Sequence, residues 1–184
     1  MIATQTRRYT AEDYAALPEG APFQLINGEL VMSPAPTFPH QIAIGNLFDA
    51  LRQYFRAHPN GNVYPSPLDV HIDDTNIPQP DLVVILHGNK GRAERDGFYG
   101  APDLVIEVLS PSNAYRDLVE KKAIYEQSGV REYWIVDPDN HYIECLCKSA
   151  TGFVLHSIAR KEGVVSSSLL EGFSIELKDV FTEK

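Results

Sequence analysis

Residues 102–112 read PDLVIEVLSPS, and this stretch carries one carboxylate in the middle of an otherwise apolar run. A short, continuous apolar run is typical of a strand that is covered on both faces of its sheet. An ionised carboxylate is very costly to bury without a partner. Glu107 must therefore be protonated, paired with a cationic side chain or bound to a metal ion.

The same four letters, PDLV, occur a second time at residues 80–83, inside QPDLVVIL. Asp103 lies four residues before Glu107 in the same run, which is ~13 Å along a strand. That separation is too large for the two to share a cation with bonds of ~2.1 Å, so we interpret Asp103 as a strand-start residue. Asp81 can converge with Glu107 on one cation if the two runs form adjacent strands, ~4.8 Å apart, and opposite strand directions would make this easier.

Two carboxylates completed by water form a site suited to Mg²⁺ or Mn²⁺. An ion held in this way activates water and neutralises charge on a phosphate. The segment after Glu107 is predicted to be a helix and offers two nearby lysines, Lys121 and Lys122. A helical wheel places Lys122 in the more apolar stripe and Lys121 beside it, and it does not choose between them. The alternatives are a solvated lysine or a simple buried Glu107–lysine pair.

The remaining chain predicts helices and strands in a mixed order. A Gly-rich loop between the two PDLV strands is locally basic, with Lys90, Arg92 and Arg95 as candidates for contact with a phosphate backbone. We expect a mixed α/β sheet flanked by helices, with a C-terminal β-meander, in a single domain over residues 1–184. The predicted elements are a helix after Thr10, a hairpin about Asn27-Gly28, a helix over 39–57, a proline-broken strand over 62–73, a helix that ends at Gly129, and strands from 131 onward.

Composition limits the classes of function. The 184 residues carry a net charge of −9, which argues against a protein that coats nucleic acid through general basicity, although a metal ion and a local basic patch could still meet phosphate. No apolar run approaches the ~20 residues of a membrane span, so we expect a cytoplasmic protein without membrane contact. Cys145 and Cys147 are too poorly placed to bridge each other and should stay reduced.

Together these residues resemble the PD-(D/E)XK nuclease superfamily: Pro-Asp at 80–81, a glutamate on the next strand and a helix after it. More narrowly, GAPDLVIEVLSPS, RDLVEK and YEQSGVREYWIVDP are similar to a family of small bacterial proteins known as "putative restriction endonucleases". The resemblance runs from about Phe23 to Pro138 and is dense from Gln79 onward. It implies a restriction endonuclease-like fold, a DNA substrate, a Mg²⁺ or Mn²⁺ cofactor and, as an option, a homodimer that cuts both strands.

The resemblance also implies roles for single residues. Asp81 and Glu107 match the metal ligands, and the backbone carbonyl of Val108 matches a further one. The family carries its lysine on the helix, in a D-x-x-x-K-x-x-x-Y register, and this favours Lys121 over Lys122 as the catalytic lysine. Asp117 and Tyr125 complete that register.

The chain departs from the superfamily pattern in two places. The position of the usual lysine, two residues after the glutamate, is Leu109. In the hairpin, Gln24 and Asn27 stand where relatives often have acids, which leaves only Glu29. His40 is either a helix-start residue or a neighbour of the metal. A catalytically silent nuclease-fold module that binds DNA or protein is therefore the rival interpretation.

Overall fold

A computed structural model describes residues 7–33, 35–110 and 114–182. Its centre is a six-stranded mixed sheet in the order β11-β10-β9-β8-β5-β3. The helices are α1 (Ala11–Ala15), α2 (Phe38–Ala57), α3 (Lys122–Ser128) and α4 (Leu177–Phe181), and a π-helical turn, Arg116–Lys121, leads into α3. The strands are β1 (Phe23–Ile26), β2 (Glu29–Met32), β3 (Gly61–Pro65), β4 (Val70–His71), β5 (Leu82–Leu86), β6 (Arg92–Glu94), β7 (Gly97–Tyr99), β8 (Leu104–Val108), β9 (Glu132–Asp137), β10 (Tyr142–Ser149), β11 (Gly152–Arg160), β12 (Val164–Ser166) and β13 (Ser174–Glu176).

The two PDLV segments form neighbouring strands in the middle of this sheet, as predicted. Strand β5 is antiparallel to β8, with Leu82 opposite Ile106, while β9 is parallel to β8. All five residues of β8 are buried, because apolar side chains cover both faces of the sheet. Continuing the β5–β8 register by one residue places Asp81 opposite Glu107.

Helix α2 covers one face of the sheet and begins at the edge where Asp81 lies. Thr37 caps its first turn by accepting a hydrogen bond from the backbone N–H of His40, and Pro39 suits a first-turn position because it has no N–H to satisfy. Its apolar stripe packs onto the sheet, with Leu47 and Leu51 fully buried. The following strand β3 runs back along α2 at the edge of the sheet, and the sequence predicted such an edge or bend from the prolines in this segment.

The hairpin prediction is confirmed. Asn27 and Gly28 both have positive φ angles, 51° and 76°, which is the geometry of the tight turn that Asn-Gly favours. No described helix is both long enough and apolar enough to cross a membrane.

Three parts of the chain differ from the prediction. The Gly-rich segment predicted as a loop contains the hairpin β6–β7, which joins β4 in a small sheet because Phe98 is buried against Val70 and Val83. The strands β12 and β13 and the short helix α4 follow the meander and were not predicted. The helix after Glu107 begins with a π-helical turn rather than regular α-helix.

Candidate active site

A cleft with a volume of about 310 Å³ opens where β5 begins and β8 ends. Asp81 and Glu107 reach it from the two strands, and Lys121 reaches it from the π-helical turn. The start of α2 contributes His40 to the same wall. The structure therefore brings together Asp81, Glu107 and Lys121, the three residues that the sequence marked as site candidates. Asp81 and Lys121, the two that lie furthest apart in the sequence, are separated by 40 positions.

Asp81 is held in place by backbone groups on both sides. Its Oδ2 accepts a hydrogen bond from the backbone N–H of Val108 at 2.7 Å, and its own carbonyl accepts one from the N–H of Ser66 at 2.9 Å. The first of these bonds continues the β5–β8 pairing through a side chain. Asp81 is thus fixed relative to the strand that carries Glu107.

Glu107 is buried, with 2% of its surface exposed. Its Oε1 accepts a hydrogen bond from Lys121 Nζ at 3.0 Å and another from the Tyr125 hydroxyl at 2.6 Å. Burial raises the pKa of Glu107 to about 8, and the charge of Lys121 only partly offsets this effect. The neighbouring carboxylates of Asp117 and Asp81 raise the pKa further.

Lys121 lies between two buried carboxylates. Its Nζ is 3.0 Å from Glu107 Oε1 and 3.1 Å from Asp117 Oδ1. Burial lowers the pKa of Lys121, but the charges of Glu107 and Asp117 outweigh burial, so the pKa lies above its ordinary value. Lys121 is consequently an ammonium ion at neutral pH, and its charge compensates part of the negative charge in the cleft.

The π-helical turn explains why Lys121 enters the cleft and Lys122 stays half-exposed. The wheel assigned Leu118 to the more apolar stripe, yet Leu118 is 40% exposed and its neighbour Val119 is 49% exposed. In a π-helix each turn takes more residues than in an α-helix, so residues four apart stay aligned on the inner face. This turn therefore buries the stripe that carries Asp117 and Lys121 and leaves the more apolar stripe with Leu118 and Lys122 partly exposed.

The oxygen donors of the cleft fit a hard divalent cation. Among the described residues, Asp81 Oδ1 and Glu107 Oε2 accept no hydrogen bond, which leaves one oxygen of each carboxylate available. The part of the chain that the structure describes contains no group of three or more His, Cys, Asp or Glu side chains arranged to hold a metal. Two carboxylates with water in the remaining positions match Mg²⁺ and Mn²⁺ better than zinc, which prefers four tightly held N or S ligands.

His40 is both a helix-start residue and a neighbour of the candidate site. Its Nε2 is 3.4 Å from Asp81 Oδ2, and within the described chain its buried Nδ1 has no hydrogen-bond partner. Burial lowers the pKa of His40, but the hydrogen bond and charge of Asp81, together with the Val108 carbonyl, outweigh burial and raise it. Val108 lines the cleft together with His40 and Asp81.

Two acidic residues that the sequence set aside lie outside the cleft. Asp103 is buried at the opposite end of β8, where it accepts hydrogen bonds from the Leu86 N–H and the Asn89 amide, both at 2.8 Å. Glu29 is exposed in the β1–β2 hairpin. Gln24 from the same hairpin does line the cleft and accepts a hydrogen bond from the backbone N–H of Gln79.

Comparison with known proteins agrees with this architecture. The model of the family Uma2, described as "Putative restriction endonuclease", matches residues 11–178. A search of curated protein sequences finds no match. Among solved structures, the chain is similar to the crystal structure of a "putative nuclease belonging to DUF820" from Anabaena variabilis ATCC 29413. The two share 19% sequence identity and a TM-score of 0.76 over 94% of this chain and 97% of that chain, which shows a common fold.

Proposed function

Since this chain belongs to the Uma2 family, whose model spans residues 11–178, we propose that it is a divalent-metal-dependent endonuclease that hydrolyses phosphodiester bonds in DNA. The observation that carries the proposal is the placement of Asp81 opposite Glu107, with Lys121 bonded to Glu107 Oε1. Among the described residues, no donor contacts the second carboxylate oxygen of either acid, and a lysine ammonium stands within reach of the same cleft.

In the proposed mechanism, Asp81, Glu107 and the Val108 carbonyl would hold one Mg²⁺ or Mn²⁺ ion. When bound, such an ion supplies Lewis-acid stabilisation of the phosphorane-like transition state and lowers the pKa of water. Lys121 orients the attacking water and stabilises negative charge, because its raised pKa keeps it an ammonium rather than a free base. Asp117 holds the Lys121 side chain from the other side.

The Tyr125 hydroxyl and the His40 ring position the two ligands. Tyr125 donates to the same Glu107 oxygen as Lys121, so the second oxygen points away from both donors. The His40 ring lies beside Asp81 Oδ2, the oxygen that Val108 N–H also contacts. Both carboxylates are thus oriented before any cation binds, which limits the reorganisation that binding requires.

The test is cleavage of supercoiled plasmid, linear duplex and single-stranded DNA with Mg²⁺, Mn²⁺ or EDTA. We expect the wild type to cleave DNA only with a metal, and Glu107→Gln or Asp81→Asn to lower the rate by at least about 100-fold, since each removes a carboxylate ligand. Glu29→Gln is the matched control, because it neutralises an exposed carboxylate outside the cleft and should leave the rate unchanged.

Calorimetry with Mn²⁺ separates the proposal from its rivals. A wild type that binds Mn²⁺ and DNA but cuts no substrate is the catalytically silent module. A wild type that binds no divalent ion, together with a Glu107→Gln variant that is less stable than the wild type, leaves only the buried Glu107–Lys121 pair. Either result removes the nuclease proposal.

A further inference from the structure

A second groove, with a volume of about 370 Å³, lies between α2 and the edge strand β3. Phe48, Arg52 and Arg56 form its helix wall, and Tyr64 and Pro65 form part of its strand wall. Arg52, Arg56 and Tyr64 are exposed. No acidic side chain of the described residues lines this groove, although the chain as a whole carries a net charge of −9. The groove is therefore a local positive surface on an acidic protein.

The two arginines are available to a ligand. Within the described chain neither Arg52 nor Arg56 makes an ion pair, whereas Arg92 pairs with Glu94. The Arg52 guanidinium lies 5.6 Å from the centre of the Phe48 ring, which holds the group over an apolar surface without satisfying its N–H donors. Both guanidinium groups can thus donate to a partner outside the chain.

The groove continues from the candidate active site. Gln41 lines the cleft, and the positions 45, 48, 52 and 56 follow it along the same face of α2. Nothing outside the helix backbone lies within 4 Å of the place where a side chain at Gly45 would begin, so the surface is open at this position between the cleft and the groove. On the other wall, β3 ends at Pro65 and runs directly into Ser66, which lines the cleft.

We propose that this groove binds the phosphate backbone of duplex DNA on one side of the cleaved bond, an inference that rests on the proposed nuclease function. The path from Gln41 to Arg56 is ~22 Å along the helix, which spans about six base-pair steps of ~3.4 Å along the duplex axis. Arg52 and Arg56 contact phosphate oxygens, for which the guanidinium geometry is well suited. Tyr64 packs against the sugars of the same strand. These contacts position the substrate and carry no base specificity.

The β6–β7 hairpin is the other basic surface that the sequence marked. Its Arg92 is occupied by Glu94 and by the ring of Tyr99, at 5.2 Å. No residue of β6 or β7 lines the cleft. This surface therefore provides a matched control with two exposed arginines, Arg92 and Arg95, of similar charge but different location.

The experiment measures DNA affinity by fluorescence anisotropy, with a labelled 20-base-pair duplex in EDTA and the full chain carrying Glu107→Gln. We expect Arg52→Ala/Arg56→Ala to weaken binding about tenfold or more at 50 mM salt. The slope of log Kd against log salt should fall by about 2, because each lost phosphate contact removes ~0.9 from it. Arg52→Lys/Arg56→Lys, which keeps the charge, should retain most of the slope, and Arg92→Ala/Arg95→Ala should change the affinity less than twofold.

An unchanged salt slope in Arg52→Ala/Arg56→Ala overturns the proposal that the groove binds DNA. An equal loss of affinity in the β6–β7 control Arg92→Ala/Arg95→Ala also overturns it, as does the absence of any DNA binding at 50 mM salt. A change in oligomeric state by light scattering without a change in DNA affinity also overturns it, because the groove would then join two copies of the chain. The assay contains no metal and involves no cleavage, so it is independent of the nuclease test. If the wild type cleaves DNA but the salt slope of Arg52→Ala/Arg56→Ala is unchanged, only the groove proposal fails. If the wild type never cleaves DNA but the slope of that variant falls, only the nuclease proposal fails.

Discussion

Two buried glutamates lie on neighbouring strands of the central sheet, Glu107 on β8 and Glu132 on β9, and they are satisfied in opposite ways. Glu132 is fully buried, and neutral donors contact both of its oxygens. No Lys, Arg or His of the described residues pairs with it. The donors are the Trp134 indole N–H, the Ser167 hydroxyl, the Ser168 N–H and hydroxyl, and the Leu169 N–H, at 2.7–2.9 Å.

Glu107 has a different environment. Lys121 and Tyr125 both contact Oε1, and no described group donates to Oε2. Glu132 is thus a closed structural site that ties β9 to the loop before β13, whereas Glu107 keeps an oxygen turned toward a cleft. Burial alone therefore does not mark a functional carboxylate. The number of donors that each oxygen accepts separates the two roles.

The largest expected effect is on stability at Glu132. Glu132→Gln places an amide N–H₂ against at least one N–H donor that cannot rotate away, at Trp134 or at the backbone of Ser168 and Leu169. Each buried donor left without an acceptor costs about 1–3 kcal/mol, so we expect a loss of about 3 kcal/mol in the free energy of unfolding. Glu107→Gln should cost less stability than Glu132→Gln at pH 7, or even raise it, because its new amide faces no donor and burial already disfavours the ionised form of Glu107. Urea unfolding followed by Trp134 fluorescence measures both values.

Equal losses in the two variants would contradict this contrast and would make Glu107 a structural residue like Glu132. Glu144→Gln is a control for substituting a partly buried glutamate of the same sheet. Among the described residues, the only donor to its carboxylate is the hydroxyl of Tyr142, which can rotate. We expect this variant to stay within about 0.5 kcal/mol of the wild type.

The next effect is the dependence of stability on pH that Glu107 produces. Its folded-state pKa is about 8 and its ordinary value is 4.5, so the folded protein keeps the proton over a range in which the unfolded chain has released it. The contribution of Glu107 to stability is therefore complete below pH 4.5 and is lost as the pH rises toward 8. Without metal, wild-type stability should fall relative to Glu107→Gln between pH 5.5 and 8, by an amount on the order of 1 kcal/mol or more. If the urea midpoints of the wild type and of Glu107→Gln change in parallel with pH, the raised pKa of Glu107 is contradicted.

The unusual environment of Glu107 was largely predictable from the sequence, whereas the environment of Glu132 was not. A charge inside an apolar run signals an unusual environment, and the repeated Pro-Asp supplied Asp81 because strand geometry excluded Asp103. Glu132 comes at the start of its strand, next to Arg131, where an exposed acid is ordinary. All its donors except the Trp134 indole N–H come from a loop 35 to 37 residues later in the chain, and no periodicity in the sequence brings that loop to β9.

The choice of Lys121 marks a second limit of sequence reasoning. A wheel with the α-helical repeat could not choose the lysine, and only the register implied by the family resemblance favoured Lys121. The π-helical turn is the physical reason, since it aligns residues 117, 121 and 125 toward the sheet. Local propensity does not predict a π-helical turn, because it is stabilised here by the contacts of Lys121 with Glu107 and Asp117.

The smallest effect concerns the two cysteines of β10 and reports on how closed the Glu132 site is. Cys145 is buried, and burial together with the charge of Glu132 raises the pKa of its thiol far above the ordinary value, while Cys147 is partly exposed. A thiol reagent at pH 8 should therefore modify one cysteine per native chain quickly and the second at least about tenfold more slowly, and both quickly in urea. Glu132→Gln should speed the slow reaction by opening this site, whereas Glu107→Gln should leave it unchanged. Two cysteines that react at the same rate in the native protein would show that the Glu132 site is as open to solvent as the cleft.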